Sequence, residues 1–344
     1  MSKFVFVVPG RLDQLTGGYL YGRHIIENLW ARGHDIKVIE LAPKDGIRRF
    51  AALADDTTTV IDGLAFPDLE QEIAKHKSRL RLVALVHHPL AEETGLPPTA
   101  AKRLAGLEAA LLPLFRGIIC PSRKTAAAVA RYGVASNQIT VIPPGTAKPT
   151  LFRRRRGRAQ ALLCVASLIP RKGHRVLIEA LANIRYLDWR LTCIGSLERD
   201  PGTVRELRRM ISAARLKRRV ELLGEQPPET VARAYQAADI FVLPSFHEGY
   251  GMAYAEAMAH GLPIVATLAG AIPDTVPTTA GLLVAPGEPV ALAQALHRVL
   301  LQSALVARLS AGARAAGARL PDWRQAGEMF DQALDRLATL PPPT

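Results

Sequence analysis

Two glutamates, Glu248 and Glu256, are separated by seven residues in a segment that follows an apolar run and opens a helical pattern near Gly251. Carboxylates placed in this way can accept hydrogen bonds from different hydroxyl groups of one ligand. The free backbone N–H groups and the positive dipole end at a helix start favour an anion. Gly249 and Gly251 allow that anion to come close because they have no Cβ. The segment therefore predicts a site for a ligand that carries both hydroxyl groups and negative charge.

A pair of cations, Arg171 and Lys172, lies at the turn between the first apolar run and the first helical pattern of the second half of the chain. Charge-assisted hydrogen bonds make such a turn suitable for a diphosphate group. The alternative is a solvated helix start with no ligand.

In the first half, a glycine pair and a histidine pair follow apolar runs. Gly17 and Gly18 lack the spacing of a dinucleotide-binding fingerprint, which counts against a dehydrogenase. His87 and His88 end an apolar run just before Pro89. One of them is expected at an active site, and the alternative is a histidine at the edge of the core.

The elements that would position these residues alternate along the chain. Short apolar runs separated by helical patterns indicate parallel sheets that are covered on both faces. The strand-like runs of the first half are Phe4–Val8, Ile36–Leu41, Thr58–Ile61, Leu82–His87, Gly117–Cys120 and Ile139–Ile142. Those of the second half are Ala161–Val165, Arg190–Ile194, Val220–Leu223, Ile240–Leu243 and Pro263–Ala266.

The pattern breaks between residues 145 and 160, where proline, glycine and a charge run are typical of a linker. We predict an α/β protein with two Rossmann-like, doubly wound domains at residues 1–150 and 151–320, and a last helix at 321–344 that crosses back to the first domain. Open parallel sheets bind ligands at the carboxyl ends of their strands, so a cleft between the two domains is expected.

The composition of the chain is compatible with several kinds of binding partner. The chain has 344 residues and a formal charge of +13, which favours anionic partners such as phosphorylated small molecules, acidic lipid or nucleic acid. No apolar run is long enough for a bilayer span and the amino terminus lacks the features of a secretory signal, so we expect a cytoplasmic protein. Cys120, Cys164 and Cys193 are far apart in apolar runs, which predicts buried, reduced thiols without a metal or disulfide pattern.

The glutamate segment, with Gly249, Gly251 and Ala257-Met258-Ala259, resembles the signature of the family-four retaining glycosyltransferases, which adopt the GT-B fold. The resemblance implies transfer of a sugar, expected to be a hexose, from a nucleotide-diphosphate-sugar donor to a hydroxyl of a sugar, lipid or small molecule. Neither a cofactor nor a divalent metal is implied, and the sequence has no Asp-x-Asp motif.

Each motif receives a role from the resemblance. Glu256 would bind the ribose, and Glu248 and the amides near Gly251 would bind the sugar. Lys172 would hold the diphosphate, and we expect Arg171 to replace part of the charge lost where Ser167 stands in place of the family's arginine. His87 would lie beside the reacting sugar, which makes His87, Glu248 and Lys172 the expected catalytic residues. The remaining donor-binding residues are Gly17, Gly18, Gly249, Tyr250 and Met252.

Three other functions remain open: a nucleotide-sugar epimerase or phosphorylase of the same fold, a binding subunit without catalysis, and a nucleic-acid-binding protein. The last is disfavoured because no reader motif or stacking-aromatic arrangement is present. The arginine run Arg153–Arg156 and the basic stretch from Arg205 to Arg219 suggest contact with an anionic membrane surface, with solvated surface as the alternative.

Overall fold

A computed structural model of the chain describes residues 2–41, 45–149 and 160–341. The chain divides into two compact units, unit 1 with Met1–Gly145 and Pro321–Thr344, and unit 2 with Thr146–Leu320. The arginine run Arg153–Arg156 lies outside the described residues.

Unit 1 contains a sheet of six parallel strands in the order β2-β1-β3-β4-β5-β6. The order reverses between β1 and β3, which are neighbours in the sheet. The elements are β1 (Lys3–Val8), α1 (Gly17–Ala31), β2 (Asp35–Glu40), α2 (Asp45–Ala51), β3 (Thr58–Asp62), α3 (Phe66–His76), β4 (Arg81–Leu85), α4 (Pro98–Leu111), β5 (Gly117–Cys120), α5 (Arg123–Ala130) and β6 (Ile139–Val141).

Unit 2 repeats this design with a second parallel sheet in the order β12-β11-β10-β7-β8-β9. Here the order reverses between β7 and β10. The elements are β7 (Gln160–Val165), α6 (His174–Asn183), β8 (Trp189–Ile194), α7 (Pro201–Ala213), β9 (Val220–Leu222), α8 (Pro228–Ala237), β10 (Ile240–Leu243), α9 (Met252–Ala259), β11 (Ile264–Thr267), α10 (Ile272–Thr275), β12 (Gly281–Val284), α11 (Pro289–Leu301) and α12 (Ser303–Arg319).

The last helix, α13 (Trp323–Ala338), belongs to unit 1 and packs on α1. The Trp323 ring stacks on His24 at 4.1 Å between ring centroids, and a Cβ at Gly145 would lie 2.4 Å from the Trp323 Cα. Trp323 therefore has a packing role in unit 1.

The strands are apolar throughout because both faces of each sheet are covered. In β1, Val5 and Val7 belong to one buried cluster while Phe4 and Phe6 belong to the cluster on the opposite face. This alternation explains why the sequence shows continuous apolar runs and confirms the prediction of parallel sheets with helices on both faces.

The structure differs from the predicted elements in detail. β4 ends at Leu85, so His87 lies in the following turn rather than in the strand. Two short helices, α2 and α3, and the edge strand β12 were not individually predicted. Among the described residues, no single helix is both long and apolar enough to cross a bilayer. Helices α11 and α12 meet the length and apolarity requirements only when taken together, and they are bent by 99° relative to each other.

Candidate functional site

The point at which the strand order of unit 2 reverses carries the two strongest sequence motifs. β7 and β10 are neighbours there, and the turn after β7 holds Lys172 while the turn after β10 holds Glu248. Ligands of doubly wound sheets bind at the carboxyl ends of the strands beside such a reversal. The fold therefore brings together two motifs that are 76 residues apart in the sequence.

Glu248 is the centre of a buried polar cluster. Its Oε1 accepts hydrogen bonds from Lys172 Nζ and from Ser245 Oγ, each at 2.7 Å, and its Oε2 lies 3.7 Å from Arg171 Nη1. Burial works to raise the pKa of Glu248, but the charges of Lys172 and Arg171 and the hydrogen bonds outweigh it, so the pKa lies below its ordinary value. Glu248 is thus held ionised beside two cations.

Arg171 braces the loop that carries Glu248. Its Nη1 donates to the His247 carbonyl at 3.0 Å, and its own carbonyl accepts from the Phe246 N–H at 2.8 Å. Ser167 lies in the same turn, partly exposed. Arg171 thus adds a positive charge to the cluster, and its contact with a ligand remains a prediction.

The start of α9 is formed by the predicted donor-binding residues Gly249–Met252. Gly251 precedes the helix with φ of +89°, a left-handed conformation that favours glycine, and a Cβ there would lie 2.5 Å from the Tyr254 ring. Met252 is the first helical residue, and Gly249 and Tyr250 lie in the loop before it. The Tyr250 hydroxyl oxygen is buried without a hydrogen-bond partner among the described residues, and burial raises the pKa of Tyr250 to about 12.

Glu256 is the fifth residue of α9 and is partly buried. Its Oε2 accepts a hydrogen bond from the Tyr235 hydroxyl at 2.8 Å, and the Tyr235 ring stacks on His260 at 5.1 Å. Burial raises the pKa of Glu256 to about 7, although the bond from Tyr235 acts in the opposite direction. The two glutamates therefore have different environments: Glu248 is paired with cations, and Glu256 is paired with a phenol.

Unit 1 brings its own motifs together. α1 begins at Gly17, and a Cβ at Gly18 would lie 3.1 Å from the His87 Cδ2 and Nε2 atoms. His87 Nε2 lies 3.2 Å from the buried Asp62 Oδ2, and the other carboxylate oxygen accepts from the Leu64 N–H at 2.9 Å. Asp62 ends β3, beside the reversal of the strand order.

His87 and His88 have different surroundings. His88 Nε2 is 3.1 Å from Glu93 Oε2, whereas His87 Nε2 is 3.2 Å from Asp62 Oδ2 and the His87 ring faces the position that a Cβ at Gly18 would take. A role for His87 beside a ligand stays a prediction.

Several residues of these two groups were missed from the sequence. Asp62 had a usable signal, since an acidic residue at the carboxyl end of a strand is typical of a doubly wound site. Ser245 lies three residues before Glu248 in the same loop. Tyr235 lies on α8, and nothing in its local sequence distinguishes it from a core tyrosine.

Part of each half of the chain matches a glycosyltransferase family model. Residues 159–302 match the model described as glycosyl transferases group 1, and residues 65–147 match the model described as glycosyltransferase family 4. The first range contains Lys172, Glu248 and Glu256, and the second contains His87.

Curated relatives are glycosyltransferases. A D-inositol 3-phosphate glycosyltransferase of Xylanimonas cellulosilytica is 31% identical over 62% of this chain and 55% of its own length. An MMP alpha-(1->4)-mannosyltransferase of Mycolicibacterium hassiacum is 27% identical over 75% of this chain and 66% of its own. In most of these matches the chain spans about half or less of the relative's length.

Solved structures share the fold over nearly the whole chain. Sucrose-phosphate synthase from Thermosynechococcus elongatus has a TM-score of 0.82 and 22% identity, covering 98% of this chain and 99% of that one. HepE from Anabaena, solved with UDP-glucose, has a TM-score of 0.78 and 20% identity, covering 97% and 99%. With two doubly wound units, the matching family models and these structural neighbours, the chain belongs to the family-4 glycosyltransferases of the GT-B fold.

Proposed function

We propose that the chain transfers a hexose from a nucleotide-diphosphate-sugar donor to an acceptor hydroxyl, with retention of the anomeric configuration and without a divalent metal. The single observation that carries this proposal is the cluster of Lys172, Arg171 and Glu248 beside the start of α9, where the strand order of unit 2 reverses. This arrangement supplies groups for phosphate and for hydroxyls at one edge of one sheet.

On the donor side, the nucleotide ribose is assigned to Glu256 and the sugar hydroxyls to Glu248. A carboxylate accepts two hydrogen bonds from a vicinal diol without donating any, so both assignments suit the chemistry of the side chains. A structural neighbour, HepE, was solved with UDP-glucose, which supports a nucleotide-sugar donor for this chain. Tyr235 has a positioning role because its hydroxyl fixes one oxygen of Glu256.

The diphosphate is the leaving group, and its developing negative charge must be stabilised. Lys172, Arg171 and the backbone N–H groups at the start of α9 provide positive charge that is already in place before the reaction. In this proposal they take the part that a bridging metal plays in other transferases.

Retention is proposed to proceed by front-face attack, in which the acceptor hydroxyl enters on the side of the departing phosphate. Glu248 is hydrogen-bonded to both Lys172 and Ser245, which suits an acceptor of sugar hydroxyls better than a free nucleophile. The leaving phosphate then takes the proton of the acceptor hydroxyl as the new glycosidic bond forms.

Unit 1 is assigned to the acceptor, and His87 to the reacting sugar. Asp62 fixes the orientation of the His87 imidazole, since a carboxylate bound to one ring nitrogen orients the other. The relatives named above act on an inositol phosphate and form an alpha-(1->4)-mannosyl linkage, which supports a sugar, lipid or other small polyol as the acceptor class.

Peripheral association with acidic lipid on the cytoplasmic face of a membrane is a second part of the proposal. A cavity of about 530 Å³ in unit 2 combines exposed cations with apolar side chains, which suits an anionic amphiphile. Arg219 of the predicted basic stretch does not take part, because it lies 4.0 Å over the Trp189 ring and donates to backbone carbonyls. The lining residues are Arg208, Arg209, Ile211, Ser212, Lys217, Val220 and Leu222.

Flotation with liposomes of neutral and of acidic composition tests the membrane part. We expect flotation only with acidic lipid, and its loss in an Arg208→Glu/Lys217→Glu variant. An Arg175→Glu variant, altered at another exposed cation, is the control. Equal flotation of all three proteins would contradict the assignment to this cavity.

A thermal-shift screen of UDP-, GDP- and ADP-sugars in excess EDTA tests the donor assignment. Selective stabilisation by one donor class is expected, since a ligand that binds only the folded state raises the melting temperature. NMR of the product made with an acceptor then reads the anomeric configuration. An inverted product would refute retention, the same product formed with and without an acceptor would favour the epimerase or phosphorylase, and binding without turnover would favour a binding subunit.

A further inference from the structure

Three soft metal ligands meet in the core of unit 2. Cys164 on β7 and Cys193 on β8 are paired in register on neighbouring strands, and His174 is the first residue of α6. Their exposed fractions are 0%, 1% and 3%. The two cysteines are 29 residues apart in the sequence, which is why their spacing gave no metal pattern; parallel strand pairing brings them together.

The distances among the ligand atoms fit one ion. The thiol sulfurs and an imidazole nitrogen all lie within 4.8 Å of one another, and Cys164 Sγ is 3.5 Å from His174 Nε2. With zinc bond lengths of about 2.3 Å to sulfur and about 2.0 Å to nitrogen, a tetrahedral site places its donor atoms roughly 3.5–3.8 Å apart. The cluster therefore needs little movement to hold a metal.

The imidazole is otherwise poorly satisfied. His174 Nδ1 is buried and has no hydrogen-bond partner among the described residues, so the imidazole's only polar contact there is the weak one from Nε2 to the Cys164 sulfur. Burying an imidazole with so few hydrogen bonds lowers the stability of the folded state. A metal–nitrogen bond offsets much more of this loss than a contact with a thiol does.

Charge selects the ion. Two thiolates, a neutral imidazole and one divalent cation have no net charge, whereas a monovalent cation leaves a net negative charge in an apolar core. Sulfur and imidazole ligands together favour zinc among the common divalent ions. Three protein ligands leave a fourth position for a small ligand such as water.

We propose that Cys164, Cys193 and His174 form a zinc site that ties β7, β8 and the start of α6 together. On binding, each cysteine thiol loses its proton to solvent as its sulfur bonds to zinc, so two protons leave for each ion bound. The site is distinct from the proposed donor-binding cluster, although His174 follows Lys172 by two residues and anchors the same turn.

The test uses the full chain, refolded under reducing and oxygen-free conditions with one equivalent of Co²⁺ or Zn²⁺, because the cluster is buried. We expect Co²⁺ to give a thiolate-to-cobalt charge-transfer band and the visible bands of tetrahedral cobalt, which Zn²⁺ then removes. Native mass spectrometry should show one zinc bound with the loss of two protons. Absence of the cobalt bands, or a bound zinc without that proton loss, would overturn the proposal.

Cys193→Ala and His174→Gln should lose the cobalt bands. Cys120→Ala is the matched control, because Cys120 is an equally buried cysteine in unit 1, outside the cluster. Unchanged bands in Cys193→Ala would overturn the proposal. If the cluster variants do not fold, the wild-type comparison decides: zinc should raise the melting temperature of wild type and Cys120→Ala alike, and no rise in either would contradict the site.

Discussion

Lys172 Nζ donates to Glu248 Oε1 at 2.7 Å, and both side chains are largely withdrawn from solvent. The residue assigned to the donor phosphate and the residue assigned to the donor sugar are therefore partners of each other. A ligand that engages either side chain must share or break this ion pair. The strength of the pair thus bears directly on how the site binds its substrate.

A double-mutant cycle measures that strength. Lys172→Met leaves Glu248 with Ser245 and the more distant Arg171, so the loss in the free energy of unfolding should fall below the roughly 3–5 kcal/mol of an entirely unpaired buried charge. We expect a coupling energy between Lys172→Met and Glu248→Gln of about 1–3 kcal/mol by urea unfolding. The exposed pair Arg175–Glu179 is the control and should couple by no more than about 0.5 kcal/mol. Equal coupling in both pairs would show that burial adds nothing.

Glu256 predicts a pH dependence. Its pKa is raised from 4.5 to about 7 in the folded protein, so the folded state binds a proton more tightly than the unfolded state. Stability relative to Glu256→Gln should therefore fall as the pH rises from about 4.5 to about 7, and level off above that. Melting temperatures of the two proteins across this range test the sign. A difference that is constant with pH, or that grows in favour of the wild type, would contradict it.

The same carboxyl group should control nucleotide binding. An ionised Glu256 accepts two hydroxyl hydrogen bonds, so donor affinity should increase as the pH rises through about 7, with proton release on binding below that pH. Calorimetry in two buffers of different ionisation enthalpy detects the released protons. Glu256→Gln should bind more weakly and show no proton release, whereas release that persists in this variant would assign it to another group.

The space around Gly18 in unit 1 has no room for a side chain. A Cβ at this position would lie 3.1 Å from two atoms of the His87 ring, so Gly18→Ala should displace the imidazole. We expect kcat to fall between about 10- and 100-fold. Gly22→Ala is the control in the same helix, since a Cβ there meets nothing within 4 Å and alanine is the better helix former. Equal kcat in the two variants would remove His87 from the proposed mechanism.

Gly270 holds the loop that carries Glu248. Its φ is +54°, and a Cβ would lie 2.4 Å from the Glu248 carbonyl oxygen and 2.8 Å from its nitrogen. Gly270→Ala should therefore lose both stability and donor affinity. Gly224→Ala carries similar backbone strain, of about 1–2 kcal/mol, but its nearest contact is 3.7 Å away. Urea unfolding of both variants measures the cost of the backbone strain, which they share. Donor titration measures the effect of displacing the Glu248 loop, which only Gly270→Ala should cause. Similar donor affinities in the two variants would argue that this loop does not bind donor.

The sequence predicted the sheets well because their strands are apolar on both faces. β5 and β10 have the predicted bounds, and the helix after β10 begins at Met252, next to the predicted start near Gly251. The edge strand β12 was missed because three of its four residues are only partly buried, and Gly281 gives no strand signal. Short α2 lacks the length over which helical periodicity shows.

The candidate site was predicted as residue types but not as contacts. Glycines, glutamates and a lysine in two turns showed which side chains matter, and the order of the strands explains why Lys172 and Glu248 meet. The bonds from Tyr235 to Glu256 and from Arg171 to the His247 carbonyl depend on side-chain packing across elements, for which local sequence carries no pattern. For the same reason, the local sequence did not show that Cys164, Cys193 and His174 lie close together.

In the proposed mechanism, unit 2 binds the nucleotide diphosphate through Glu256 and the cations Lys172 and Arg171, without metal. Calorimetric titration of the donor chosen by the thermal-shift screen, in EDTA, into wild type and Glu256→Ala tests it most directly. We predict one site in the wild type and an affinity at least about tenfold weaker in the variant, equivalent to about 1.4 kcal/mol or more. Equal affinity in the two proteins, or wild-type binding only after Mg²⁺ or Mn²⁺ is added, would contradict the account.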